Sequence, residues 1–591
     1  MGRMKSMFFP EKLWTGRFTF WWIISLATVF LFDIFWMLQT TFRPMSFFAF
    51  YPVLFLQAFI LALPSLFFRR GVVQLLWLLF FDALFIANLM YCRTYYNAIP
   101  LQSYNLIGNL SDYQDSVTES FKWYFIFLPI LTLAAEGIYL ARIKTMDAKT
   151  PNLFLYLGYV FGLFVITWIS DAGRGGTMER MNFMYDYAYL SSSITPIYSL
   201  GGFLWHDYHK STEKLTPEEM EEVRDWLSEH DSYSENYWTD SLRKERKVPK
   251  NLVIILCESL ESWVLEKEVE GKEITPNLNK LLRDSTTFFA PNVLTQVGSG
   301  RSIEGQLLIM AGLMPMHNKV YAYESVDNKF FTLPKAMKEK GAHTVIFTAD
   351  KPYVWNQARL APAFGFDKLY DDEDFIIDET TGTTKRLSDR SLMRQIVGKL
   401  KSGDDWNEGE PAMVLIVTNS GHNPFNLPDK LRDIEFSGNL PKIISDYMVT
   451  AHFTDKAISY MIGYLKERSD WEDTLVVITG DHEGLALDRK TALANAEASK
   501  FVDSGQHTPF IVLNSPIPGR YEKELGQVDM YSSILDLMNL NDYEWKGLGF
   551  SIFDENLSEI DADFKNKTGE ISDFILRFNL LENYPYANET E

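Results

Sequence analysis

The chain has 591 residues, a formal net charge of −21 and only two cysteines, Cys92 and Cys257. This length exceeds that of one ordinary hydrophobic core, so at least two domains are expected. Two cysteines exclude a disulfide framework and a cysteine-rich zinc site. The acidic balance argues against nucleic acid as a partner, because binding of a phosphate backbone needs a basic surface.

Charge and hydropathy divide the chain near residue 170. Residues 1–170 contain twelve Lys/Arg and eight Asp/Glu, a net charge of +4, so the total of −21 leaves −25 for the remainder. Five apolar stretches precede this point, each close to the ~20 residues that cross ~30 Å of hydrocarbon as a helix. They cover residues 18–40, 46–68, 71–92, 123–141 and 152–170. We therefore predict a transmembrane domain of five helices over residues 1–170.

Basic residues predict how these helices are oriented. Lys and Arg are concentrated before the first stretch, between the second and third, and between the fourth and fifth, whereas the alternate loops hold few. By the positive-inside rule, the N-terminus is then cytoplasmic and everything after the fifth helix is extracytoplasmic. Carboxylates inside apolar stretches are functional candidates by default, although pairing within the bundle or a position near the interface also explains them. These are Asp33, Asp82 and Glu136.

Residues 171–249 are predicted to form an interfacial helical linker. Within it, Thr216-Pro217-Glu218-Glu219 has the form of a capping box with Pro at the first helical position, followed by an acidic helix. We expect this linker to attach to the following domain rather than to catalyse a reaction. At the other end of the chain, residues 557–591 are predicted to be a polar, acidic tail with weak helical character.

Residues 250–556 are predicted to form an α/β domain. Short apolar runs of strand length recur along this segment, and helical patterns lie between them. Strands that alternate with helices indicate a mainly parallel sheet with helices on both faces. The predicted strands cover residues 252–257, 344–348, 412–418, 474–479 and 509–513.

Two of these strands end in side chains that suit a metal ion. Glu258 follows the first strand, and Asp481 and His482 follow the fourth. Functional groups in open α/β sheets lie outside the carboxyl ends of the strands. Taken alone, Glu258 is better explained as a capping or solvated residue. Two strand ends that supply carboxylate oxygens and an imidazole together indicate a divalent cation.

Three further motifs carry reactive side chains. Ser302 follows the glycine-rich turn 298–301 and precedes an apolar helical pattern, so its hydroxyl is predicted at a helix N-terminus, where anions are favoured. An ordinary N-cap is the commoner fate of such a serine, and Ser299 has a similar glycine neighbourhood. His422 follows the third strand, and His507 lies two residues before the fifth. Three histidines at one sheet edge are hard to explain as structural.

Together these motifs resemble the alkaline phosphatase/sulfatase superfamily and, within it, the lipoteichoic acid synthase branch, with five membrane spans and an extracellular catalytic domain. The resemblance extends to about residue 556 and includes Trp355-Asn356, the segment 419–425, Gly480-Asp481-His482, and the segment 528–531 followed by Gly547 and Gly549. It implies one divalent metal, manganese before magnesium or zinc, and Ser302 as the nucleophile. The implied metal ligands are Glu258, Ser302, Asp481 and His482.

The resemblance also implies which residues contact the substrate. Trp355 and His422 match positions that contact the phosphate-bearing head group. Ser302 replaces the family's Thr, which conserves the hydroxyl. Gln357 replaces an Arg, which weakens the case for the same glycerol-phosphate substrate unless Arg359 supplies the lost charge. The Cys/Ser-x-Pro-x-Arg context of true sulfatases does not occur.

The implied activity is a metal-dependent phosphotransfer. Ser302 would take the head-group phosphoryl unit from a phospholipid and pass it to an envelope glycan or glycolipid acceptor, with His422 or His507 protonating the leaving alkoxide. The implied location is a bacterial cell (inner) membrane, with the lipid bilayer as a partner and the catalytic domain extracytoplasmic. A phosphoethanolamine transferase, a phosphodiesterase or sulfatase-type hydrolase, and a membrane regulator that has lost activity are the alternatives.

Overall fold

The computed structural model forms two compact units, the first comprising Met1–Gly108 and Val117–Glu213, the second Asn109–Ser116 and Lys214–Glu591. The residues that the structure describes are 16–39, 51–68, 70–95, 99, 118, 120–143, 153–172, 214–239, 247–298, 300–316, 319–382, 386–403, 405–436, 438–486, 488–554 and 562–584.

The first unit is helical where it is described. Its α-helices are α1 (Gly16–Gln39), α2 (Tyr51–Leu61), α3 (Pro64–Phe67), α4 (Gly71–Tyr95), α5 (Phe127–Ile138) and α6 (Leu153–Ala172). Among the described residues, three helical stretches are long and apolar enough to cross a membrane, namely Gly16–Leu38, Gly71–Tyr91 and Trp123–Ala141. The second predicted span is divided into α2 and α3, and α6 coincides with the fifth. Five membrane spans therefore stay a prediction.

The three carboxylates predicted inside the membrane helices are all buried in the first unit. Asp82 is 1% exposed, and one of its oxygens accepts a hydrogen bond of 2.7 Å from the Thr132 hydroxyl on α5. Asp33 and Glu136 are 2% and 8% exposed. Pairing within the helical bundle thus accounts for the position of Asp82.

The second unit is built on a nine-stranded mixed sheet. Its strands are β1 (Asn251–Cys257), β4 (Phe288–Leu294), β5 (His343–Thr348), β6 (Lys368–Tyr370), β9 (Ala412–Val417), β10 (Thr474–Gly480), β11 (His507–Leu513), β12 (Gly519–Arg520) and β13 (Leu525–Gly526). Their order in the sheet is β12-β4-β11-β10-β1-β9-β5-β6, and β13 also pairs with β4. The five strands from β10 to β6 are parallel, whereas β11 runs antiparallel to β10 and to β4. Two ribbons lie outside the sheet, β2 (Glu268–Val269) with β3 (Lys272–Glu273) and β7 (Thr380–Thr381) with β8 (Arg386–Leu387).

Helices cover both faces of the sheet, as predicted for an α/β domain. Side chains that alternate along the strands belong to two separate hydrophobic clusters, one on each face. The helices of this unit are α7 (Pro217–Thr239), α8 (Pro276–Leu282), α9 (Ser302–Ala311), α10 (Tyr321–Glu324), α11 (Leu333–Glu339), α12 (Gln357–Phe364), α13 (Asp389–Ser402), α14 (Lys442–Glu467), α15 (Asp488–Ala494), α16 (Asp529–Leu537), α17 (Ala562–Asn566) and α18 (Thr568–Phe578). The clusters place α9 and α16 on one face and α13 and α14 on the other.

The linker helix and the C-terminal helices pack on the first of these clusters. The indole ring of Trp226, on α7, stacks on Phe564 with centroids 4.7 Å apart. On α18, Ile571, Phe574 and Ile575 are almost fully buried. Residues 562–584, which belong to the predicted polar tail, therefore contribute buried apolar side chains to this cluster. Their apolar positions are spaced three and four apart, so they share one helix face, which average composition conceals.

Candidate active site

The predicted metal ligands meet where two adjacent parallel strands end. Cys257, the last residue of β1, pairs with Gly480, the last residue of β10, so Glu258 and Asp481 leave the sheet at the same level. With His482 they form a buried cluster in which one ligand atom from each lies within 4.8 Å of the others. The structure thus brings together residues that are more than two hundred positions apart in the sequence.

The donor atoms of this cluster fit a divalent cation. Oδ2 of Asp481 is buried and has no hydrogen-bond partner among the described residues, and it lies 3.6 Å from Nε2 of His482. Nδ1 of His482 is 2.8 Å from the carbonyl oxygen of Glu483. Donation of an Nδ1 proton to this carbonyl leaves Nε2 able to bind a metal. Two carboxylates and an imidazole suit Mn²⁺, Mg²⁺ or Zn²⁺ without distinguishing among them.

The electrostatics of the cluster also favour a cation. Burial and the negative charge of Glu258 raise the pKa of Asp481 well above its usual range. Burial acts in the same direction on Glu258, but the imidazoles of His482 and His422 and neighbouring hydroxyls lower its pKa to about 2. Burial, followed by the positive charge of Arg301, lowers the pKa of His482 to about 4. His482 is therefore a neutral ligand at neutral pH, and a bound cation would relieve the repulsion between the carboxylates.

Ser302 reaches this cluster from the first turn of α9. Its hydroxyl donates to Glu258 Oε2 at 3.1 Å and lies 3.2 Å from Nε2 of His482. The side chain is half-buried, so it is also open to a substrate. Close packing depends on Gly305, where an added Cβ would lie 2.6 Å from the carbonyl oxygen of Asp481. Ser299, the competing serine, lies outside the described residues.

Arg301 and Glu483 connect the two loops that carry the cluster, and sequence reasoning did not assign them a role. Arg301 has a positive φ of 49°. Its guanidinium forms an ion pair with the Glu483 carboxylate, donates to the Glu483 carbonyl at 2.8 Å and lies 3.0 Å from Nδ1 of His482. The only sequence signal was their position beside Ser302 and His482.

His422 also lies near the cluster. Its turn packs against Glu258, because a Cβ added to Gly421 would lie 2.0 Å from the Glu258 carbonyl oxygen. The imidazole contributes to the lowered pKa of Glu258, and its Nδ1 is 2.9 Å from the carbonyl oxygen of Asn423. The ring is half-buried.

Trp355 and Gln357, which are also predicted to contact the substrate, have different neighbours from His422. Trp355 is half-buried, has a φ of 51° and packs near Tyr323 with ring centroids 6.4 Å apart. Gln357 is 4% exposed and donates to the side-chain oxygen of Gln306 at 3.0 Å, one turn beyond Ser302 on α9.

Arg359 and His507 are both engaged with carboxylates. The exposed Arg359 guanidinium pairs with Asp327 at 2.5 Å. The ring nitrogens of His507 lie 2.6 Å from Asp503 and 3.0 Å from Glu524. Burial alone would lower the pKa of His507, but these two carboxylates raise it. Substrate roles for both residues stay predictions.

Comparison with known proteins agrees with this fold. Residues 250–540 match the family model described as Sulfatase. The lipoteichoic acid synthase of Staphylococcus aureus (strain NCTC 8325 / PS 47) is 25% identical over 517 residues, which cover 85% of this chain and 76% of that protein.

Two solved structures are also similar to this chain. The lipoteichoic acid synthase LtaP from Listeria monocytogenes has a TM-score of 0.47 and 19% identity, and the match covers 61% of this chain and 100% of that one. The Streptococcus pyogenes phosphoglycerol transferase GacH in complex with sn-glycerol-1-phosphate has a TM-score of 0.43 and 15% identity, over 63% and 97% of the two chains.

The mainly parallel sheet that carries the carboxylate and imidazole cluster at its carboxyl edge lies within the segment that matches the sulfatase family model. Over most of its length, the chain is similar to lipoteichoic acid synthases.

Proposed function

We propose that this protein is a metal-dependent phosphotransferase that moves a glycerol phosphate-like head group from a phospholipid to an envelope glycan or glycolipid. The observation that carries the proposal is the position of Ser302, whose hydroxyl lies 3.1 Å from Glu258 and 3.2 Å from His482 at the start of α9. The relatives support phosphoryl head-group transfer in general.

In the proposed mechanism, Ser302 is the nucleophile and its neighbours orient it. Glu258, Asp481 and His482 would hold a divalent metal, manganese by family resemblance, which supplies Lewis-acid chemistry that lowers the pKa of an alcohol and polarises a phosphoryl oxygen. The Ser302 hydroxyl loses its proton to water, and its oxygen forms a bond to phosphorus as the bond from phosphorus to the diacylglycerol oxygen breaks. His422 protonates the leaving alkoxide. An acceptor hydroxyl then gives its proton to His422 and attacks the phospho-serine, and the released Ser302 oxygen takes up a proton from water.

The first unit supports a membrane location for this reaction. Three described helices have the length and composition of membrane spans, and a lipid donor is reached most directly by an enzyme anchored in the same bilayer. We assign the protein to a bacterial cell membrane as a multi-pass protein, with the catalytic unit on the extracytoplasmic side.

Gln357 supports a single transfer rather than growth of a polymer. Arg can grip a second phosphate with two hydrogen bonds, whereas Gln357 is neutral and already donates to Gln306. The absence of a fixed positive charge on this side chain also makes an ethanolamine head group the second candidate. Long glycerol-phosphate polymers made by the purified protein would argue against single transfer.

The proposal is tested by incubating the full-length membrane protein with head-group-labelled phosphatidylglycerol or phosphatidylethanolamine. We expect label on the protein and release of diacylglycerol from the true donor. Ser302→Ala should abolish both signals. Release of diacylglycerol from neither lipid by metal-loaded wild-type protein would contradict the proposed function.

A further inference from the structure

The side-chain amide of Asn419 is buried and unpaired. Asn419 follows β9 and is 5% exposed, and neither its Oδ1 nor its Nδ2 meets a hydrogen-bond partner within the described ranges of the chain. An amide offers two donor hydrogens and an oxygen with two lone pairs. Because burial of such a group without partners is unfavourable, this amide calls for a partner outside the polypeptide.

Asn419 lies at the same sheet edge as the metal cluster. β1 and β9 are adjacent and parallel, with Leu256 paired to Val417, so Asn419 leaves β9 at the level at which Glu258 leaves β1. Alternate residues of β9, ending with Val417, belong to the hydrophobic cluster on the face that α9 covers. Continued alternation puts the Asn419 side chain on that face, where Ser302 begins α9.

Direct contacts join this segment to Glu258. The Thr418 hydroxyl accepts a hydrogen bond of 3.0 Å from the backbone N–H of Glu258. Two residues after Asn419, the turn approaches so closely that a Cβ on Gly421 would lie 2.0 Å from the Glu258 carbonyl oxygen. Asn419 therefore lies in a segment that packs against Glu258, at the site that the proposed reaction uses.

The backbone at Asn419 is held in place by hydrogen bonds to Asp389. Asp389 is fully buried, and its Oδ1 accepts the N–H groups of Asn419 and Ser420 at 2.9 and 3.0 Å. Its other oxygen accepts the Thr454 hydroxyl at 2.9 Å. Because this backbone is already fixed, little conformational entropy is lost when a ligand orders the Asn419 side chain.

We propose that Asn419 binds the head group of the donor lipid, with Nδ2 donating to a phosphoryl oxygen and Oδ1 accepting from a hydroxyl or ammonium group next to the phosphate. This inference rests on the proposed function. Phosphodiester oxygens only accept hydrogen bonds at neutral pH, so they satisfy Nδ2 but not Oδ1. Glycerol supplies a hydroxyl and ethanolamine an ammonium, whereas choline supplies neither. Asn419 thus selects against phosphatidylcholine.

The test compares Asn419→Leu with wild type, as full-length protein in vesicles that contain phosphatidylglycerol, phosphatidylethanolamine or phosphatidylcholine. Leu has a similar volume but no polar atoms. Wild type should release diacylglycerol from one of the first two lipids at least about tenfold faster than from phosphatidylcholine. Asn419→Leu should lower kcat/KM for the preferred lipid about 10- to 100-fold, mainly through KM, because it removes two hydrogen bonds. Metal content should be unchanged and the melting temperature no lower.

If the Asn419 amide has only a structural role, stability and kinetics should change in a different way. Asn419→Leu would then lower the melting temperature and the active fraction while KM stayed the same. That pattern, unchanged kinetics, or equal use of phosphatidylcholine by wild type would overturn the assignment. Asn407→Leu is the matched control, because Asn407 is exposed and pairs with Glu410 at 3.0 Å. It should leave every readout unchanged.

Failure of the proposed phosphotransferase function can be distinguished from failure of the Asn419 assignment. If wild type releases diacylglycerol from none of the three lipids, calorimetric titration with glycerol 3-phosphate and with phosphocholine decides the inference. A preference for glycerol 3-phosphate that Asn419→Leu abolishes supports it. Binding of neither compound, or equal binding of both, overturns it.

Discussion

Glu258 and Asp481 illustrate how single residues acquire a role from their surroundings. Each follows a fully buried strand, and each alone could be an ordinary polar residue at a strand end. Together they place two carboxylates in a buried space beside His482. Burial of two negative charges is unfavourable unless a cation or a proton compensates for them, so the pair indicates a metal more strongly than either residue does.

Replacement of Asp481 by Asn tests the metal site. We expect metal binding and activity to be lost together, with activity reduced at least about 100-fold, beyond the ~10- to 100-fold typical of groups that only orient a ligand. The metal-free fold should keep or gain stability, because the substitution removes one of two repelling charges. Metal content and denaturant unfolding check these outcomes. Full activity in chelator-treated Asp481→Asn protein resupplied with metal would show that the site is misplaced.

His507 predicts a pH dependence of stability. Its pKa is raised in the folded protein by Asp503 and Glu524, above the value of about 6.5 expected when unfolded. The interaction of protonated His507 with these two carboxylates therefore stabilises the folded state fully below the unfolded pKa. This stabilisation is lost as the pH rises through the higher pKa of the folded protein. The difference in unfolding free energy between wild type and His507→Gln should be larger at about pH 5.5 than at about pH 8.5. His343→Gln, at an exposed position on β5, is the control, and a pH-independent difference would contradict the prediction.

At the level of elements, the central strands were predictable because burial on both faces requires continuous apolar runs. The predicted strands correspond to β1, β5, β9, β10 and β11. The edge-side strand β4 was not recognised, since its sequence contains Pro291, which normally argues against a strand. Only weak helical character was predicted for the segment that contains helix α18, because its apolar residues lie within a polar segment and only their spacing reveals a face.

Contacts between distant loops could not be derived from the sequence. Arg301 and Glu483 are 182 positions apart, and no local pattern indicates that their side chains meet. The same limit applies to Asn419, whose lack of a partner is visible only when its neighbours are in place. Motifs identified the types of reactive residue, whereas the fold is needed to show which polar groups hold them.

The Arg301–Glu483 ion pair should orient the start of α9 against the metal loop. Both side chains are mostly buried, 12% and 4% exposed. Glu483→Gln leaves Arg301 without its charged partner, which typically costs about 3 kcal/mol for a buried pair. We expect lower unfolding free energy and lower kcat with metal still bound. Lys340→Gln, which breaks an exposed pair with Asp542, should have little effect. Unchanged kcat in Glu483→Gln would contradict a positioning role.

At the level of the whole molecule, charge and hydropathy separate an apolar unit with a small positive charge from an acidic unit with an α/β core. The linker helix α7 belongs to the second unit, where Trp226 packs against Phe564. The second unit therefore begins well before its first strand.

The topology is tested with reporter fusions. Fusions after residue 170 or at residue 250 should be extracytoplasmic, and fusions near residues 69–70 or 142–149 cytoplasmic, because Lys and Arg are concentrated on the cytoplasmic side. Alkaline phosphatase and fluorescent protein reporters read the two sides. A cytoplasmic signal at residue 250 would contradict both the topology and the use of an extracytoplasmic lipid head group.

Peptide mapping of a trapped phospho-enzyme determines whether Ser302 is the nucleophile. Phosphate is predicted on Ser302, whose hydroxyl donates to Glu258 at 3.1 Å. Ser302→Ala should abolish turnover and labelling while Glu258, Asp481 and His482 still bind metal, and Ser302→Thr should keep part of the activity because the hydroxyl remains. Phosphate on Ser299, together with an active Ser302→Ala protein, would contradict the account.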